Sequence, residues 1–112
     1  MKTLNRTLIL VSPKQPFIDW LVECDFDTEA TLELYSNDVG VYLYDEFGRK
    51  EFIQMVENNY TKYFEAELAS CTLDKEKWPN VNDLRLFQEW FVVTYHSVLS
   101  DESNLPLKHE EI

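Results

Sequence analysis

The stretch VVTYHSVLSD brings together His96, Ser97 and Asp101, the residue types of a nucleophilic triad. In a triad the histidine must reach both the serine and the acid by hydrogen bonds. Adjacent residues point to opposite faces of a strand and diverge by about 100° on a helix. Because neither geometry joins His96 to Ser97, and no glycine turn exposes the serine, we predict core structure here rather than a catalytic site.

Zinc is a second possibility, with Cys24, Cys71 and His96 as ligands. Structural zinc sites draw their ligands in close pairs such as Cys-x₂-Cys, and these three residues are far apart in the sequence. Both cysteines lie among apolar residues at helical spacing, which is typical of reduced, buried thiols. We therefore predict two core cysteines and no metal.

Other chemical motifs are weak. The chain has 21 acidic residues, so chance carboxylate pairs are unavoidable, and Glu65 and Glu67 are spaced too closely to share a helix face. Two glycines, Gly40 and Gly48, are too few for a phosphate-binding loop. The sequence predicts no catalytic residue and no cofactor.

Trp78 lies beside Pro79 in a loop, where it is either an exposed anchor for a partner or a lid on the edge of the core. The lid is the favoured interpretation. As candidate binding residues we name Trp78, His96 and Asp101.

The charge balance restricts the partners. The net charge is −11, with 10 basic residues against 21 acidic ones. Nucleic acids and anionic membranes require a basic surface, so both are disfavoured. The charge is explained by solubility or by a basic protein partner. The apolar run LILV is too short for a signal peptide, which predicts a cytoplasmic protein.

The apolar pattern predicts most elements. Arg6–Val11 is apolar on both faces and indicates a buried, central strand. Pro16 suits the first turn of a helix whose inner side carries Phe17, Trp20, Leu21 and Cys24. Val39–Tyr44 alternates as a strand does. Residues 31–36 fit either a strand or a short helix capped by Thr31.

The second half begins with a long amphipathic helix after Gly48. Its predicted inner stripe is Phe52, Val56, Tyr60, Tyr63, Phe64, Leu68 and Cys71, and its solvated side includes Glu51, Glu57, Glu65 and Glu67. Asp83 is the predicted cap of the last helix. Residues 92–99 fit a strand or a continuation of that helix, and β-branched Val92, Val93 and Thr94 favour the strand.

These elements predict a single globular domain over residues 1–112, with a tail from about 102 that we expect to be mobile. The fold class is α+β or a small α/β fold, with about three strands and three to four helices in two or three layers. If the first two strands are parallel, their crossover should be right-handed.

The chain resembles a family of small bacterial proteins of unknown function. The resemblance lies in LILVSPKQPFIDWL at 8–21, WP at Trp78–Pro79 and FQEWFVVTYHSVLSD at 87–101. It implies a helix around Leu32–Ser36 and a strand over 92–99. It implies no reaction, cofactor or partner.

The sequence thus favours a small cytoplasmic protein, monomeric or homodimeric, that binds another protein and is not an enzyme. The alternative is a small enzyme or ligand-binding protein with a pocket near His96 and Trp78. A compact concave pocket with a perturbed carboxylate beside His96 would favour the alternative, whereas a smooth acidic surface with one apolar patch would favour the protein binder.

Overall fold

A computed structural model describes residues 2–24 and 39–111 of the chain. The two interpretations of residues 31–36 fall outside these ranges. Within them lie five strands and three α-helices: β1 Lys2–Thr3, β2 Arg6–Pro13, α1 Gln15–Glu23, β3 Gly40–Asp45, α2 Phe52–Ala69, α3 Leu84–Trp90, β4 Phe91–His96 and β5 Ser100–Asp101. Short 3₁₀ turns occupy Arg49–Glu51 and Lys75–Lys77.

The main sheet has the order β3-β2-β4, and both neighbours pair antiparallel with the central strand. The prediction that Arg6–Val11 lies in a central strand is therefore confirmed, as is the prediction of α+β architecture. The small α/β alternative is wrong, since the three strands form no parallel pair. The condition for a right-handed crossover does not arise.

A second sheet pairs β1 with β5, joining Lys2 to Asp101 and Thr3 to Ser100. The sequence analysis missed this ribbon because two-residue strands have no detectable periodicity. The ribbon ties the N-terminal residues to the segment that follows β4. Residues 102–111 beyond it contain no helix or strand and are exposed.

The core fills the space between one face of the sheet and the three helices. Thr7, Ile9 and Val11 alternate along β2 and are buried against the helices. The other buried side chains come from the helices and the start of β4: Phe17, Trp20, Leu21, Val56, Tyr63, Phe64, Leu68, Phe87 and Phe91. On the other side of β2, Arg6, Leu8 and Leu10 are half-buried, so the predicted burial of this strand is complete on the helix side alone.

Aromatic rings form the centre of this core. The ring of Phe87 lies 5.6 Å from that of Phe64 and 5.2 Å from that of Phe91. The Phe91 ring in turn lies 5.0 Å from Phe17 of α1. Such tilted and edge-on pairs add stabilisation beyond that of their buried area. Phe87 thus links α2, α3 and β4.

The boundary between α3 and β4 settles the ambiguity over residues 92–99. Asp83 caps α3 as predicted, its carboxylate accepting a hydrogen bond from the Leu86 amide at 3.1 Å. The helix ends at Trp90, and Phe91 adopts an extended conformation with φ −138° and ψ 148°. The strand prediction is confirmed and the continuous helix is wrong, although the strand ends at His96 rather than Leu99.

Two other predictions need correction. Cys24 and Cys71 are half-buried at the edge of the core rather than buried, and neither forms a disulfide. On α2, Glu57 is exposed as predicted, but Glu65 and Glu67 are half-buried. The carboxylate of Glu67 lies so close to Gly40 that a β-carbon at that position would collide with it, so the Glu67 side chain packs against the start of strand β3.

Candidate functional site

His96 ends β4 and lies on the face of the sheet that points away from the helices. It pairs with Leu8 of β2, and its side chain is exposed. Its Nε2 is 2.9 Å from the hydroxyl of Thr94, two residues earlier on the same face. His96 is therefore held by a neighbouring threonine on the sheet surface.

Ser97 and Asp101 engage different parts of the molecule. Ser97 is exposed and lines a groove at the end of the sheet. The Asp101 carboxylate accepts a hydrogen bond from the Ser103 amide at 2.9 Å, which stabilises the turn after the β1–β5 ribbon. The hydrogen bonds described for His96 and Asp101 thus join neither of them to Ser97, which supports the structural interpretation of the stretch.

Trp78 is half-buried and packs on the edge of the core. Its indole N–H donates to the Thr72 carbonyl at 3.0 Å, while the indole of Trp20 donates to the Lys77 carbonyl at 2.8 Å. The first bond ties Trp78 to the segment that follows α2, and the second ties the residue before Trp78 to helix α1. The arrangement matches a lid rather than an exposed anchor.

Trp78 and His96 lie towards opposite ends of the sheet. Trp20, which holds the Trp78 loop, is 6.2 Å from Trp90, the residue before β4 begins. His96 ends the same strand, five residues beyond Phe91, or roughly 16 Å along an extended chain. We therefore find no geometry in the described residues that places both side chains in one pocket.

The larger described cavity is an open groove of about 600 Å³ at the His96 end of the sheet. Its walls are Thr3–Leu4, Glu46–Gly48 and Ser97–Leu99, with Thr7 between them. The Thr7 hydroxyl is already occupied, because it accepts a hydrogen bond from the Phe47 amide at 3.2 Å. Glu46 supplies the ionisable side chain of this groove.

A smaller apolar cleft of about 180 Å³ separates the start of α2 from β4. Its apolar walls are Phe52, Ile53, Val56, Phe91 and Val93, and Glu57 and Gln88 border it. The cleft offers one ionisable group and no nucleophile. It is suited to an apolar side chain rather than to a reaction.

Three tyrosines form the main cluster of titratable groups inside the fold. The hydroxyls of Tyr44 and Tyr63 hydrogen-bond to each other, and the ring of Tyr42 lies 4.5 Å from that of Tyr63. Burial, followed by the charge of Glu67 and by Tyr44, raises the pKa of Tyr42 to about 12. Burial, followed by the bond to Tyr44, also raises the pKa of Tyr63.

A phenol whose pKa is raised stays protonated at neutral pH. A tyrosine that acts as a general base needs a pKa near the working pH, so the shift here is in the opposite direction. Lys62 lies 5.6 Å from the Tyr44 ring, where it adds a cation–π contact. The cluster therefore stabilises the packing of α2 on β3 and does not form a proton-transfer site.

The outer face of the sheet presents apolar side chains to solvent. Leu43 and His96 flank Leu8 in one row, and Val41 and Thr94 flank Leu10 in the next. Val41 is 54% exposed and Leu43 is 47% exposed. We use the name outer face for the surface formed by Leu8, Leu10, Val41, Leu43 and Val92. Val92 lies on the edge strand β4 and is 48% exposed.

Sequence reasoning missed the outer face for a definable reason. Val41 and Leu43 alternate with Tyr42 and Tyr44, so both sides of β3 are apolar. A period of two separates the faces but does not say which one meets the helices. The available signal was that the strands predicted at Arg6–Val11 and Val39–Tyr44 both carry apolar residues on both sides.

The described residues contain neither a metal-binding cluster nor a membrane-spanning helix. Within residues 2–24 and 39–111, no cluster of three His, Cys, Asp or Glu side chains is arranged to hold a metal ion. No described helix has the length and apolar character needed to cross a bilayer.

No family model matches the chain, and neither a curated protein nor a solved structure does.

Proposed function

We propose that this protein binds another protein through the outer face of its sheet. The single observation that carries the proposal is the pair of apolar rows in which Leu8 lies beside Leu43 and Leu10 beside Val41. Isolated surface leucines are normal, whereas contiguous apolar patches mark sites of interaction. Covering these side chains would remove apolar surface from water, which is the main driving force of association.

The composition of the rows fits a binding surface. Its centre is aliphatic, and its β4 side is polar, where Thr94 and His96 are hydrogen-bonded to each other. An apolar centre with a polar rim is the usual anatomy of an interface. His96, selected from the sequence as a candidate binding residue, lies on this rim.

The net charge of −11 supports a basic partner. An acidic protein attracts a basic one before contact and so raises the rate of association. In this proposal the charge steers the partner and the outer face holds it. The protein acts in the cytoplasm, as a binding protein rather than an enzyme.

Affinity capture with matched variants tests the proposal. The outer-face variant is Leu43→Thr, which keeps β-propensity in an edge strand. The control is Leu73→Thr, since Leu73 is 81% exposed but lies in the loop after α2. A partner is accepted only if the purified protein binds the wild type directly in calorimetry.

We expect the wild type and Leu73→Thr to retain the partner and Leu43→Thr to lose at least about tenfold in affinity, as for an interface hot spot. Equal binding by all three proteins would refute a role for the outer face.

The groove beside Ser97 favours a second candidate, a ligand-binding function. Its volume of about 600 Å³ lies in the range of small-molecule sites. A thermal-shift screen of metabolites would test it, with Ser97→Ala and Glu46→Gln as variants. A ligand that raises Tm for the wild type and not for these variants would support this function.

A further inference from the structure

We propose that the partner segment that covers the outer face is a single basic amphipathic helix. This inference rests on the proposed function and specifies the chemistry of the occupant. It commits to a helix with an apolar stripe and with lysine or arginine on its flanks.

The dimensions of the outer face match one helix. Six-residue strands such as β3 and β4 extend about 17–20 Å, and the two flanking strands of a three-stranded sheet lie about 9.5 Å apart. A helix with its side chains is about 10–12 Å wide, and 12 residues of it extend about 18 Å. One helix of three to four turns therefore covers the face.

The arrangement of side chains suits a helix stripe. Leu8 and Leu10 form the centre of the face, with Leu43 and Val41 beside them on β3. An amphipathic helix repeats apolar residues at i, i+3, i+4 and i+7, which gives one continuous ridge that can lie parallel to the strands and cross these rows. Helices already cover the other face of this sheet in the same way.

Charge selects a basic partner over a second copy of this chain. Stacking two outer faces would bring together two molecules that each carry −11, and their repulsion opposes association. A segment rich in lysine or arginine experiences the opposite force.

Acidic side chains lie near the outer face. Asp45 extends the β3 side of the face and Glu46 follows it, both exposed. Asp101 lies in β5, which follows β4 along the chain, and Glu102 comes directly after it. Cations lie at this end as well: Lys2, Arg6, which pairs with Asp45 of β3, and Arg49, whose guanidinium lies 4.7 Å from the Tyr95 ring. The acidic excess that attracts lysines on the flanks of a bound helix is therefore that of the whole chain, with its net charge of −11.

Synthetic peptides provide a direct test. The probe is a 14-residue helical peptide with leucine at i, i+3, i+4 and i+7 and lysine on both flanks. A scrambled peptide of identical composition controls for charge, and a version with glutamate in place of lysine controls for the apolar stripe. Binding is measured by fluorescence anisotropy against the wild type, Leu43→Thr and Leu73→Thr.

We expect the helical basic peptide to bind the wild type about tenfold or more tighter than either control peptide. We expect Leu43→Thr to remove that preference and Leu73→Thr to keep it. Equal binding of the scrambled peptide, or an unchanged preference in Leu43→Thr, would overturn the helix proposal.

Failure of the helix proposal can be distinguished from failure of the proposed protein-binding function. If affinity capture yields a partner that depends on Leu43 but competes with none of these peptides, the outer face binds proteins and the helix proposal falls. Analytical ultracentrifugation of the wild type tests whether a second copy of this chain covers the outer face. A dimer that Leu43→Thr dissociates would replace the basic helix as occupant.

Discussion

Leu10 of the central strand lies directly opposite Val41 of the edge strand β3, and both side chains point away from the helices. Among the described residues, the helices therefore cover one face of the sheet, and no described element covers the other, where these apolar side chains are exposed or half-buried. Leu8 and Leu10 on this second face are half-buried.

The packing of Phe87 predicts a large stability effect. Phe87 is fully buried, and its ring packs against Phe64 of α2 and Phe91 of β4. Phe87→Ala should lower the free energy of unfolding by about 3–5 kcal/mol, because it opens a cavity among rings that cannot collapse. Phe52→Ala, at the half-buried start of α2, should cost less. Urea denaturation of both variants measures the difference, and equal losses would contradict the central role of Phe87.

The cap on α3 predicts a smaller effect. Asp83→Ala should cost about 1 kcal/mol, since it removes the acceptor for the Leu86 amide. Asp74→Ala is the matched control, because Asp74 caps only the short turn Lys75–Lys77 by accepting from Glu76. Its cost should stay within about 0.5 kcal/mol. A larger loss in Asp74→Ala than in Asp83→Ala would argue against the cap.

The tyrosine cluster predicts the response to alkaline pH. The pKa of Tyr42 is raised from 10.0 to about 12 by burial, by Glu67 and by Tyr44, and burial raises that of Tyr63 as well. Above pH 10 the unfolded chain loses phenolic protons that the folded protein keeps, so unfolding becomes easier as pH rises. The stabilisation is complete below pH 10 and declines between about 10 and 12.

Urea midpoints measured from pH 7 to pH 11.5 test this expectation. The midpoint should fall above pH 10, and Tyr42→Phe should reduce the slope of that fall. A midpoint that stays constant to pH 11.5 would show that the phenols titrate alike in both states.

Charge steering predicts how salt affects binding. The association rate of a basic partner should fall steeply as salt rises above about 0.1 M, where the Debye length is about 10 Å, while dissociation should change little. Glu57→Gln should slow association, since Glu57 is exposed. Gln54→Glu, at another exposed position on α2, should accelerate it. Stopped-flow rates that do not change with salt would leave the charge with its role in solubility alone.

Much of this fold follows from the sequence because long elements carry strong patterns. The α2 stripe, the Asp83 cap and the alternation of β3 each predict an element that the structure contains. The β1–β5 ribbon did not follow, since pairing of Lys2 with Asp101 depends on contacts 99 residues apart. Sequence periodicity carries no information on such pairing.

The candidate site was less predictable than the fold. The polar residues His96 and Asp101 attracted attention because their types can do chemistry, yet the structure uses both in local hydrogen bonds. The apolar residues Leu8 and Val41 looked like core in the sequence. Which side of a doubly apolar strand meets the helices is decided by packing of the whole domain, so the outer face emerged only from the register.

Methyl NMR of the protein labelled at leucine and valine locates the surface that binds the partner. On addition of the partner retained by the wild type, we expect intermolecular contacts to the methyl groups of Leu8, Leu10, Val41 and Leu43. The buried methyl groups of Val56 and Leu68 should show none. Contacts confined to Val98 and Leu99, which line the groove at the end of the sheet, would contradict the outer face as the binding surface.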